Sequence, residues 1–440
     1  MNYRILLSAL VILTLGFTLH TFHPASSTPG GNHTSDPKTK GEPFINTQNL
    51  YFPLTNTHSQ TPEFAELDRM VRHFLDHWEV KGASLAIVKD GKLVYAQGFG
   101  FADQEKNIRV QPYHLFRMAS VSKLFTAAGI MKLVEDGKLS LQDKVFGKTG
   151  ILNDPAFQHI ADPLALKIEV KHLLTHTGGW RNQLRKDPMF APVEVAEVMQ
   201  VPSPPSLETT IQYMLSQEGF FEPGTLYDYS NFGYCVLGKV IEKISGLTYE
   251  NYLQKEILHP LGITRMAMTH NRYREKTPLE VRYYDHPKTP LNISCYGGPD
   301  SASRTYEGTH TEGLGAAGAW IATPVDVLKF LNAIDGRPNP KDILHKSTII
   351  EMTTPQAEDS TGRYLLGWKS VDQEKWWRTG SLTGTSASLV RRTDGISWYF
   401  VTNTDSWRGP FFAYEIEAMM RRALHTVEHW PKYDLYDLQP

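Results

Sequence analysis

Two cysteines in 440 residues are too few for a disulfide scaffold or a cysteine-built zinc site. Charge of one sign is lacking too. Lys+Arg number 45 and Asp+Glu 47, a net charge of −2. That balance excludes the basic face of a nucleic-acid binder. No internal repeat is visible, and no Gly-x-Ser-x-Gly elbow of the α/β-hydrolases occurs. Gly147-Lys148-Thr149 lacks the upstream glycine of a phosphate loop, since position 142 is Gln. His172 and His176 are four apart, but Leu173 stands where a zinc hydrolase needs Glu. We therefore expect a satisfied core pair there, and neither metal nor cofactor. What is present is ordinary globular material: 41% hydrophobic residues, with 20 Phe, 20 Tyr and 9 Trp to bury.

The apolar run at residues 5–17, preceded by Arg4, has the length of a secretory signal rather than a membrane span. Residues 1–27 are expected to be a signal peptide or an anchor, with a possible membrane tether through residues 5–22. The body would then be exported, periplasmic or extracellular. Residues 28–60, rich in Ser, Thr, Pro, Gly and Asn, read as a flexible linker. The folded domain is expected at 61–430. Cys235 and Cys295 read as two separate buried thiols rather than a pair.

Within the body, Thr61-Pro62 is a helix start, followed by Phe64, Leu67, Val71, Phe74 and Leu75 at helical spacing. Asp90-Gly91 between two apolar runs predicts a hairpin. A second hairpin is expected around Asp394-Gly395, then a last amphipathic helix at residues 411–424. Between the hairpins helical patterns dominate. Residues 121–135 are apolar nearly all round, stopped by Gly137; a helix from Phe232 stops at Gly246; a third spans 325–334. The expectation is α+β: one antiparallel sheet built from both chain ends, terminal helices on one face, and a helical subdomain at about 131–305.

Three short patterns carry chemistry. Ser120 and Lys123, three apart at a helix start, share one helical face, where an ammonium of depressed pKa reaches the hydroxyl. Tyr229-Ser230-Asn231 places a phenol and an amide at the opening of another helix. Three basic-Thr-Gly triplets occur, at Lys148, His176 and Arg378. Only Arg378-Thr379-Gly380-Ser381 leads into a hairpin, whose strand edge offers backbone groups to a substrate. Each pattern alone is common.

In that order, Ser120-x-x-Lys123, Tyr229-Ser230-Asn231 and Arg378-Thr379-Gly380 resemble the motifs of penicillin-recognising serine hydrolases. The likeness is to class C β-lactamases, D-alanyl-D-alanine carboxypeptidases and related esterases. Residues 140–145, 172–179, 221–224 and 315–331 match supporting segments, so the resemblance runs from about 61 to 424. It implies a β-lactamase/transpeptidase-like fold and hydrolysis of an amide or ester through a Ser120 acyl-enzyme. Lys123 and Tyr229 would share the general-base role, with Tyr229 activating water for deacylation. The Ser120 and Ser381 N–H groups would form the oxyanion hole, Asn231 would place the substrate amide, and Arg378 and Thr379 would hold a substrate carboxylate. The substrate is expected to be a small molecule or peptide. The departure is Arg378, where the family usually has Lys or His; it grips carboxylates well but is no proton shuttle. The competing expectation is a catalytically silent protein that keeps the fold to bind a ligand or the cell wall.

Overall fold

The hairpins form where Asp-Gly turns stand between apolar runs. The computed structural model describes residues 54–182, 186–356 and 365–438. Strands β1 (Gly82–Lys89) and β2 (Lys92–Asp103) meet across Asp90-Gly91, where both residues have positive φ. Strand β3 (Ile108–Arg109) extends this edge. From the other chain end come β4 (Ser370–Val371), β5 (Lys375–Leu382), β6 (Thr385–Arg392) and β7 (Ile396–Thr402). The order is β3-β2-β1-β7-β6-β5-β4, antiparallel throughout. The two chain ends join where Ala86 faces Tyr399.

This sheet is covered on both faces, so its central strands are apolar on both sides rather than alternating. Leu85, Ile87, Trp398 and Phe400 pack beneath the terminal helices α1 (Ala65–His77) and α5 (Phe412–Leu424). Ala86, Val88, Tyr399 and Val401 face the opposite core. That core holds α2 (Ser122–Glu135), α3 (Asn231–Ser245) and α4 (Pro324–Asn332). Gly137 and Gly246 end α2 and α3 in left-handed conformations, as expected from sequence. Among the described residues, those inserted between the hairpins share this one apolar cluster with the sheet. They also contain strands. Phe116–Arg117, Trp320–Ala322 and Ala267–Met268 form a three-stranded sheet, and Asn292–Ile293 pairs with Ser301–Ala302.

Both domain boundaries need correction. Residues 54–60 are not linker. Leu54 is buried, the Asn56 amide bonds Gly98 and Val110, and Ser59 Oγ bonds both backbone groups of Ala96. Their side chains satisfy backbone polar groups along β2. At the other end, Asp434 accepts the Leu93 N–H and Leu435 is buried. The domain thus reaches at least from 54 to 438. The expected signal or anchor and most of the linker lie outside the described residues. Among the described residues, no helix is long and apolar enough to cross a membrane. Cys235 and Cys295 are both buried and unpaired, as expected.

Candidate active site

The first turn of the buried helix is preceded by a 3-10 turn, Ala119–Val121, with Ser120 at its centre. Ala119 takes φ 48°, a region that an L side chain enters only under constraint. The constraint is β5, which runs directly over this turn. A Cβ at Gly380 would collide with the Met118 carbonyl oxygen, so only glycine permits the approach. That accounts for the third position of the Arg-Thr-Gly triplet. Ser120 is half-buried and Lys123 fully buried.

Lys123 Nζ lies 3.3 Å from Ser120 Oγ. It donates to Asn231 Oδ1 at 2.7 Å and to the Ala317 carbonyl at 2.7 Å. Tyr229 OH meets Ser120 Oγ at 2.8 Å. Among the described residues, no carboxylate forms an ion pair with Lys123. Burial therefore lowers its pKa, Tyr229 opposes the fall, and Arg378 adds to it. Burial pushes the Tyr229 phenol up, but the charges of Lys123 and Arg378, with hydrogen bonds from Lys123 and Ser120, outweigh it. The phenol is brought down to about 8. The serine hydroxyl thus stands between a weakened ammonium and an acidified phenol.

Arg378 is 3% exposed. Its Nε donates to the Ser120 carbonyl at 2.8 Å, and Nη2 lies 3.4 Å from Tyr229 OH. Two of its three guanidinium nitrogens thus face groups of the protein. Asn231 likewise already accepts from Lys123. Thr379 and Ser381 are half-buried on β5. A cleft of about 690 Å³ begins at Ser381 and Leu382 and opens toward residues 186–194, 289–310 and 405–409.

Several supporting groups escaped the sequence reading. Asp187 accepts from the Asn231 N–H at 2.5 Å and from Phe232, capping α3 from 44 residues away. Asn182 Nδ2 donates to the Tyr229 carbonyl at 3.1 Å. Lys369 lies over the Trp377 and Tyr414 rings, and burial followed by the Arg378 charge lowers it to about 8. Nothing local in sequence marks these three. His176 departs from the satisfied core pair. Its Nδ1 accepts the Ser230 N–H at 3.1 Å and its ring lies 4.3 Å from that of Tyr229, but Nε2 is buried without a partner. Burial, then the charges of Lys123 and Arg378, hold it well below its ordinary pKa, so it stays neutral. No cluster of His, Cys, Asp and Glu suited to a metal ion occurs among the described residues.

Comparison with known proteins agrees with this architecture. The Beta-lactamase family model matches residues 67–417. "Protein flp" of Staphylococcus aureus (strain COL) is 28% identical over 340 residues, covering 77% of this chain. The matched part is 61% of that relative, so this chain spans about three fifths of its length. The octameric penicillin-binding protein homologue from Pyrococcus abyssi superposes with a TM-score of 0.60 at 26% identity, covering 83% of this chain and 79% of that one. D-amino acid amidase from Ochrobactrum anthropi SV3, complexed with D-phenylalanine, gives a TM-score of 0.60 at 25% identity, covering 83% of this chain and 99% of that one. With its α+β sheet, its covering helices and four fifths of its length matched, this chain belongs to the Beta-lactamase family of penicillin-recognising serine hydrolases.

Proposed function

We propose that the protein hydrolyses an amide or ester bond through an acyl-enzyme on Ser120. The observation that carries this is the position of one hydroxyl: 2.8 Å from Tyr229 OH and 3.3 Å from Lys123 Nζ. Both are within reach of proton transfer. In acylation, Ser120 Oγ forms the bond to the carbonyl carbon while its proton passes to the Tyr229–Lys123 pair. The bond to the leaving amine or alcohol then breaks, and that group takes the proton. Water reverses the sequence, with Tyr229 as its base. The backbone N–H groups of Ser120 and Ser381 are assigned as oxyanion donors, each contributing about 2.7–4 kcal/mol to transition-state stabilisation. Candidate substrates are β-lactams, D-alanyl-D-alanine peptides, D-amino acid amides and simple esters. Action outside the cytoplasm is part of the same proposal.

Labelling with a fluorophosphonate and with a β-lactam, read by intact mass and peptide mapping, tests it. The expected adduct is one per chain, on the peptide containing Ser120. A fully folded protein that gives neither an adduct nor turnover of any ester would instead support the silent, ligand-binding reading.

A further inference from the structure

Resting on that reading, we propose that the acyl part of the substrate is a long group with an apolar far end, bound in the cleft beyond Ser381, and that Trp407, Phe190 and Ile293 select for it. Direction along β5 decides which part of the substrate enters the cleft. Arg378 Nη2 lies 3.4 Å from Tyr229 OH, so the phenol stands at the start of the Arg-Thr-Gly-Ser run. The leaving amine or alcohol takes its proton from the Tyr229–Lys123 pair and therefore departs on that side. The cleft begins at Ser381, three residues or about 10 Å further along the strand, and continues past Leu382 and Thr383. Neither Tyr229 nor Arg378 lines it. A carbonyl whose oxygen accepts from the Ser381 N–H thus directs its acyl chain into the cleft and its leaving group away from it.

Size and lining give the chemical class. A volume of about 690 Å³ suits a ligand of many atoms rather than an acetyl group. Large apolar side chains scattered singly over a surface are ordinary, but here three from separate segments meet in one cleft. Phe190 is 49% exposed, Ile293 60% and Trp407 67%. Each is held by its neighbours. Phe190 closes a 3-10 turn whose Met189 N–H is capped by Asp187, the carboxylate that also caps α3. Ile293 lies in the short strand paired with Ser301–Ala302, and the neighbouring Asn292 amide donates to the Gly308 carbonyl at 2.8 Å. The Trp407 ring lies 5.9 Å from that of Trp78, and the Arg408 guanidinium, ion-paired with Glu415 at 2.6 Å, is 5.4 Å from it. Apolar surface that is already positioned loses little freedom when a ligand covers it, so its removal from water favours binding. Charged side chains of the lining balance in number, Lys186 and Arg304 against Glu194 and Asp405. Apolar contact rather than net charge therefore chooses the far end of the chain.

The test is a series of 4-nitrophenyl esters, from acetate through butanoate and hexanoate to octanoate, each kept below its aggregation concentration. A second series holds the acyl group at acetyl and places the same alkyl lengths on the nitrophenol. For the first series kcat/KM is expected to rise about twofold per methylene half-buried in the open cleft, or about 60-fold from acetate to octanoate. For the second it should change by less than about threefold. Trp407→Ala is expected to cut the octanoate-to-acetate ratio of kcat/KM about tenfold. Ile293→Ser, at an exposed position that folding does not depend on, should cut it about fivefold. A flat acyl series with Ser120 acylated in intact mass overturns the proposal, and so does a gain that follows the leaving group instead. A ratio unmoved in both variants overturns it as well. A gain seen only on micelles or phosphatidylcholine vesicles would mark the three side chains as a lipid-surface contact and likewise overturn it. If no ester of either series acylates Ser120, the hydrolase reading fails and takes this proposal with it.

Discussion

Two buried arginines in this fold each face a buried tyrosine, and the outcomes are opposite. Arg117, in the three-stranded sheet, lies over the Tyr283 ring at 4.1 Å. Its backbone N–H donates to Tyr283 OH, and that phenol donates to Glu280 Oε1 at 3.0 Å. Glu280 is also 3.9 Å from Arg117 Nε, and Thr269 bridges the two. Burial and the Glu280 charge hold the Tyr283 phenol well above its ordinary value. Tyr229 is buried beside Arg378 and Lys123, with no ion-paired carboxylate among the described residues, and comes down to about 8. Burial pushes both phenols up. The sign of the nearest uncompensated charge decides which one remains a structural pillar and which one is ready to lose a proton.

Removing the cation that contributes most to the difference has the largest effect. Lys123→Ala is expected to lower kcat/KM on a turned-over ester by about 10³-fold and to raise the Tyr229 titration toward that of an ordinary buried phenol, read by stopped-assay kinetics and absorbance titration. At the other arginine the loss is in folding. Glu280→Gln leaves Arg117 without its buried carboxylate and is expected to destabilise by about 3 kcal/mol in urea unfolding, with the pH midpoint of activity unchanged. In the wild type the pH profile follows from the direction of the Tyr229 shift. The active form needs the proton acceptor free, so kcat/KM rises with pH, is half-maximal near 8 and levels above about 9. It should fall about 50-fold between pH 8 and pH 6, two units below the midpoint. A smaller effect tests the sheet edge far from either arginine. Asn56→Ala removes three hydrogen bonds to the backbone around β2 and is expected to cost about 1 kcal/mol of stability without changing kcat.

Much of this was legible in the sequence because local physics dictates it. Asp90-Gly91 and Asp394-Gly395 set both hairpins, and glycine stops set the ends of α2 and α3. The one-turn spacing of Ser120 and Lys123 and the Tyr-x-Asn opening of α3 predict side chains that do converge. What stayed hidden depends on contacts between distant positions. Asp187 caps a helix whose first residue is 44 positions on, and the Asn56 and Ser59 side chains mimic a strand partner without any period of their own. The bond from Arg378 Nε to the Ser120 carbonyl stayed hidden for the same reason. A basic residue at a strand edge reads as a carboxylate grip, and its contact with the Ser120 turn follows only from the approach of β5 to that turn.

The most direct measurement of the central claim is the mass of the protein after brief exposure to an activated neutral ester near pH 8, with Ser120→Ala and Tyr229→Phe alongside. The account predicts one acyl group on the Ser120 peptide of the wild type, slowed by at least about 100-fold in Tyr229→Phe. It predicts none in Ser120→Ala. An adduct that persists in Ser120→Ala, or acylation unaffected by Tyr229→Phe, would contradict it.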